Sequence, residues 1–151
     1  MDLAFKYVET SPLELSTDYP YKAADGTCSF NAAEGTGSIT SYKDVPVKTQ
    51  SNGKMSVHPM KAALALGPVS VGVAASSTAF QQYKTGILNK GCGTQVDHGI
   101  LAVGWGTETS TGHEYILVKN QWGTTWGENG FIMIDIHNVC EILANASYPI
   151  V

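Results

Sequence analysis

A chain of 151 residues that is 43% hydrophobic and 15% charged carries enough apolar material for one buried core and leaves no stretch typical of a disordered tail. Its net charge of −4 argues against nucleic acid as a partner, because phosphate binding needs a basic face. The longest apolar runs, such as Val69 to Ala75, are far too short to cross a bilayer, so no membrane contact is expected.

In chain order, residues 2 to 9 carry Leu3, Phe5, Tyr7 and Val8 and read as the end of a helix that has no start signal before Asp2. Met1 leads straight into Asp2-Leu3-Ala4-Phe5, without the basic-then-apolar layout of a signal peptide. Turn-rich loops follow at Ser16 to Tyr21 and at Asp25-Gly26-Thr27-Cys28. Ile39 to Val47 reads as a short strand ending at Pro46. Ser56 can cap a helix over Val57 to Leu66, with Met60, Ala63 and Leu64 on one face and Gly67-Pro68 as its stop.

Beyond Gly67 the pattern turns to β. Val69 to Val73 alternates, which predicts a strand with one buried face. Phe80 to Tyr83 forms a helical turn ended by Gly86, and strands are expected at 99–105, 114–119, 130–136 and about 144–148. They make a mostly antiparallel sheet or barrel.

Two neighbouring runs carry the chemistry. His98 opens one and Asn120 closes the next, with a polar turn from Thr107 to Gly112 between them. Antiparallel pairing brings the imidazole beside the amide, and an amide oxygen that accepts one imidazole N–H fixes the tautomer of the other nitrogen. Such a histidine is one half of a cysteine nucleophile system. Trp122 is placed to cover that bond and exclude water from it. A lone histidine in an apolar run is more often a satisfied core residue; here Gly99 and Asn120 argue for a base.

Three cysteines form an odd set. Cys92, in the turn Gly91-Cys92-Gly93, and Cys140, near the C-terminus, suit a disulfide that staples the tail to the body. Cys28 is then left over, either a buried free thiol or a half whose partner lies outside these residues. A zinc site from Cys92, His98 and Cys140 lacks the close ligand pair of zinc-finger spacing, so no metal and no cofactor are expected.

The segments Asp97-His98-Gly99, Gly104-Trp105-Gly106, Tyr115 to Gly123, Trp126-Gly127-Glu128-Asn129-Gly130-Phe131 and Ser147-Tyr148-Pro149 together resemble the papain-like cysteine peptidases, in particular the cathepsin L-type branch. Ala4 to Tyr7, Asp18 to Tyr21, Asp25 to Cys28 and Gly67 to Val71 match in the same order, so the likeness spans the whole chain. It implies an α+β fold: about residues 31–151 as the β-rich second domain of a two-domain papain fold, and about 1–30 as a remnant of the helical first domain with crossover loops. It also implies His98 as catalytic imidazole, Asn120 as its orienting partner and Trp122 as the shield. Gln121 departs from the family's usual serine, next to the orienting amide. Met1, Gly72, Val96, Asp97, Ala144 and Asn145 fall on positions lining the main specificity pocket. Glycine at 72 is expected to widen it and Asn145 to make its base more polar, giving a hydrophobic-to-aromatic preference with tolerance for polar groups. Asn145-Ala146-Ser147 is also a glycosylation sequon, expected to stay unused because a glycan conflicts with the pocket.

The resemblance pairs Cys92 with Cys140 and gives Cys28 a partner in a segment not among these residues. It also sets the nucleophile about 30 to 50 residues before Met1, and places the oxyanion-hole glutamine upstream as well, outside these residues. Met1 to Phe5 resembles the second half of a Gly-Gly-Leu-Met-Asp run inside a helix, so the chain is expected to be a fragment or a truncated relative. Three expectations follow. The full-length parent is a cysteine-type endopeptidase acting on peptides or proteins, lysosomal, vacuolar or secreted, since disulfides imply an oxidising route. These residues alone are inactive; the alternative is a non-catalytic truncated paralogue, or a peptide-binding chain that needs a separate nucleophile-bearing segment. Removing most of one domain also exposes apolar surface that favours self-association.

Overall fold

The computed structural model describes residues 1–151, which divide into two compact units: Met1–Lys43 with Pro149–Val151, and Asp44–Tyr148.

In the first unit, helix α1 (Asp2–Val8) begins without a side-chain cap, as its sequence indicated. Asp2 in its first turn and Lys6 in its last complement the helix dipole. Phe5 stacks on Tyr42 at 5.6 Å, and Tyr7 meets Phe30 edge-on at 6.1 Å. Strand β1 (Leu13–Glu14) pairs with β2 (Gly35–Gly37), where a Cβ on Gly35 would fall 2.5 Å from a Pro12 ring carbon. The strand expected over Ile39–Val47 shrinks to β3 (Ser41–Asp44). Much of this unit's apolar material faces outward: Leu3 is 82% exposed and Tyr21 is 93% exposed, with Leu13 and Leu15 more than half exposed.

The second unit is built on a sheet. Helix α2 (His58–Leu64) packs Met60, Ala63 and Leu64 inward, as predicted. It is shorter than expected, and Val57 rather than Ser56 is its cap residue. The Ser56 hydroxyl still accepts the His58 N–H at 3.4 Å, one position ahead of the usual capping site. A Lys61–Glu114 ion pair ties α2 to the next hairpin. The remaining elements are β4 (Val69–Val73), the short α3 (Thr78–Gln81), β5 (Ile87–Leu88), β6 (His98–Thr107), β7 (Glu114–Lys119), β8 (Phe131–Asp135) and β9 (Ala146–Ile150), which runs past the unit's end. Within the unit the strand order is β9-β4-β6-β7-β8-β5. All these pairs are antiparallel except β5 with β8, a parallel edge pair too short to show in the sequence pattern.

Strand β4 corrects one expectation. Val69, Val71 and Val73 are fully buried as the alternation required, yet Gly72 on the opposite face is buried too, with Val96 and Asn145 against it. A central strand covered on both sides needs no polar face, and here a glycine supplies the second. The core below is filled by Met60, Phe80, Ile116, Ile132, Ile134 and Ile142.

Candidate active site

The register of the β6–β7 hairpin decides what His98 meets. Near the turn, Thr107 pairs with Glu114 and Gly104 with Leu117, but beyond a bulge Ala102 pairs with Val118 and Leu101 with Lys119. The bulge takes up one residue of β6. His98 and Asn120 thereby fall two positions apart across the strands, a diagonal pair on one face. The His98 Nε2 and Asn120 Oδ1 atoms lie 2.9 Å apart. The sequence-predicted pair is brought together.

The orientation of the Asn120 amide is fixed from outside the pair. Asn120 is 5% exposed, and its Oδ1 also accepts the backbone N–H of Gln121 at 2.9 Å. Turning the amide over would set an NH₂ against that N–H, so the atom facing His98 must be the oxygen. His98 therefore carries its proton on Nε2 and leaves Nδ1 with a free lone pair, the form a base requires. The clamp is a backbone group, so glutamine at 121 in place of the family's serine leaves it intact. Asn120 Nδ2 is buried without a partner, which makes Oδ1 the only anchored end of this amide.

Aromatic rings enclose the imidazole. Trp122 stacks on it at 5.1 Å with 25° between the planes, as expected of a cover. Phe80, fully buried, stands edge-on to His98 at 6.3 Å, to Trp122 at 5.6 Å and tilted against Trp126 at 5.4 Å. Trp126 is fixed in turn by its ring N–H, which donates to Gln81 O at 2.9 Å. Phe80 was read from the sequence only as part of a helical turn. The Ser77 side chain, which accepts the Phe80 N–H and caps α3, was the local signal available.

Asp97 makes a contact with the backbone. Its carboxylate accepts the Ala75 N–H at 2.7 Å and so ties the start of β6 to the residues after β4, where Val73 pairs with His98. That backbone N–H, with help from Ser76, outweighs the cost of partial desolvation and holds the carboxyl below its usual range.

The other pocket positions divide between the units. Met1 stands just before α1 in the first unit. In the second, Gly72, Val96 and Asn145 converge: a Cβ on Gly72 would lie 2.8 Å from a Val96 methyl and 3.2 Å from Asn145 Cβ. The room that glycine leaves is partly taken by Val96. Asn145 is exposed, its carbonyl accepts the Gly72 N–H, and the half-buried Ala144 precedes it. Ser147 of the sequon is buried.

Cys92 and Cys140 form the disulfide, and Cys28 is an exposed free thiol in a loop of the first unit. Cys140 sits in a turn with Asn138 (φ 60°), Cys140 (φ 56°) and Glu141 (φ 61°) in left-handed conformation, which side chains disfavour. No group of three or more His, Cys, Asp and Glu side chains is placed to hold a metal ion.

One consequence is open to NMR. The ring nitrogen shifts of His98 should show a single Nε2–H tautomer in the native protein. In Asn120→Ala that preference should collapse to a mixture, at a stability cost of about 1 kcal/mol for the lost hydrogen bond. A native Nδ1–H tautomer would contradict the clamp.

Comparison with known proteins gives the family of the chain. The family described as papain family cysteine protease matches residues 1–150. The probable cysteine protease RD21B of Arabidopsis thaliana is 41% identical over 99% of this chain, and cathepsin L of Sarcophaga peregrina is 41% identical over all of it. The chain spans 32% and 44% of those two relatives, less than half of either. Among solved structures, the bromelain protease of Ananas comosus, in complex with the E64 inhibitor, superposes with a TM-score of 0.87 at 33% identity, covering 99% of this chain and 68% of that one. Procathepsin L 3 from Tenebrio molitor larval midgut gives a TM-score of 0.87 at 30% identity, over 100% of this chain and 48% of its own. The chain has the papain-like α+β fold and belongs to the papain family of cysteine proteases, alongside cathepsin L-like and RD21-type relatives.

Proposed function

We propose that this chain supplies the acid–base half of a cysteine endopeptidase, with His98 as the proton carrier and Asn120 as its orienting group. The observation that carries the reading is the 2.9 Å His98–Asn120 contact, locked by Gln121 and covered by Trp122. Nδ1 of His98 takes the proton of a thiol, and the thiolate attacks the carbonyl carbon of a peptide bond. The imidazolium then returns the proton to the departing amine as the C–N bond breaks. Water, deprotonated by the same nitrogen, hydrolyses the thioester that remains.

Residues 1–151 alone are proposed to be inactive. In the second unit both cysteines are bonded to each other, and Cys28 sits in a loop of the first unit rather than at the helix N-terminus that activates thiols. The thiol has to come from elsewhere. Pure 151-residue protein should therefore give no hydrolysis of a fluorogenic dipeptide amide. Turnover that a thiol alkylator abolishes would show that one of these cysteines serves after all.

The grouping of Gly72, Val96 and Asn145 supports a pocket for hydrophobic to aromatic side chains, with tolerance for polar groups at its base. An oxidising compartment, lysosomal, vacuolar or extracellular, fits the disulfide. A second reading rests on the outward-facing Leu3, Leu13, Leu15 and Tyr21. That apolar surface favours a chain that associates, with itself or with a nucleophile-bearing segment, and acts only in that assembly.

A further inference from the structure

Helix α2 has an apolar stripe that the core does not use. Met60, Ala63 and Leu64 face inward, while Pro59, Ala62 and Leu66 follow at near-helical spacing on the outer side. Leu66 is 77% exposed, and the stripe forms one wall of a surface cavity of about 440 Å³, a size within the usual range of small-molecule sites. The buried Val45 and Ala63 and the half-buried Tyr148 form its inner part.

The one formal charge in the lining of this cavity is positive. Lys48 and His58 line it, and no aspartate or glutamate does, in a chain with 13 acidic against 9 basic residues. Neither Lys48 nor His58 takes part in the ion pairs of this unit, and their side chains, with the Tyr148 hydroxyl, make none of its side-chain hydrogen bonds. An apolar cavity with a few convergent, unspent donors is the layout of a ligand site. None of its lining residues belongs to the His98 site or to the Gly72 grouping.

We propose that this cavity binds a small amphipathic carboxylate, its apolar body against Leu66, Val45 and Ala63 and its head toward Lys48 and His58. A neutral apolar ligand would leave the two donors unused. A dianion would lay a second charge over proline and leucine, where nothing compensates it. One carboxylate with one apolar body satisfies both halves of the lining.

The test is saturation-transfer NMR of 4-phenylbutyrate with the 151-residue protein, an assay that tolerates self-association. Saturation should concentrate on the ring protons, and the neutral 4-phenylbutyramide should bind several-fold more weakly. Lys48→Gln with His58→Gln should weaken the acid about tenfold, the size of one lost charge-assisted hydrogen bond, and leave the amide unchanged. Ala62→Trp, an exposed position that the fold tolerates, should fill the cavity and remove binding of both compounds. No saturation in the native protein overturns the proposal. Equal binding of acid and amide overturns the carboxylate class, and undiminished binding to Ala62→Trp overturns the location. None of these outcomes depends on peptidase activity.

Discussion

Replacing Cys92 and Cys140 together by alanine should lower the stability of the second unit by about 4 kcal/mol, the chain-entropy value for a loop closed over 48 residues. That is a large share of the about 5–15 kcal/mol that holds an ordinary domain together. The bridge does more than shorten the unfolded chain. It anchors a turn in which Asn138, Cys140 and Glu141 hold left-handed backbone, each at a cost of about 1 kcal/mol or more. The Cys140 carbonyl in that turn accepts the Ala74 N–H, just beyond the end of β4 that pairs with His98. Without the bridge the turn can relax, which offsets part of the loss and loosens the β4 end. Urea unfolding of the double variant should show a much lower midpoint, and a reducing agent should bring the native protein close to it. A midpoint unmoved in both experiments would show that the bridge contributes nothing to the native state.

Phe80→Ala should cost about 3–5 kcal/mol, the range for deleting a fully buried phenyl ring. Its effect reaches further than the lost burial. The ring backs Trp122 at 5.6 Å and Trp126 at 5.4 Å, and its edge meets His98 at 6.3 Å. Removing it leaves a cavity beneath the indole that covers the His98–Asn120 bond. Trp122, 38% exposed, then loses the surface that presses it onto the imidazole. The expected signature is a lowered unfolding midpoint together with red-shifted tryptophan emission, while Phe80→Leu falls between the two. A destabilised variant with unchanged emission would mean that Trp122 holds its place without Phe80.

Phe80 marks a limit of legibility in the sequence. The spacing of Met60, Ala63 and Leu64 gave the buried face of α2, because a helix exposes its period directly. The hairpin strands β6 and β7 were equally clear from their branched and aromatic runs and the polar turn between them. Phe80 was seen only as a member of a short turn; its partners, Trp122 and Trp126, lie more than 40 residues away. No local pattern encodes that meeting. Nor does any local pattern show the two-residue parallel pairing of β5 with β8, or that Gly72 is buried by Val96 and Asn145. Nor does it show that the Asp97 carboxylate accepts the backbone N–H of Ala75, 22 residues earlier in the chain.

The family, by contrast, was written in residue types. A histidine at the head of one strand and an asparagine at the foot of the next, with Trp122 and a run of family motifs around them, named the family and offered a hydrogen-bonding pair, because hydrogen-bonding chemistry belongs to the side chains themselves. Whether the two side chains could touch was decided only in the folded hairpin. If the pairing of Thr107 with Glu114 ran on unbroken, His98 would stand opposite Gly123, an odd number of positions from Asn120, and the two would point to opposite faces. The bulge between Ala102 and Gly104 shifts the register by one residue and makes that number even. A strand alternates with a period of two, so one residue of slip separates a hydrogen-bonded pair from two unrelated side chains.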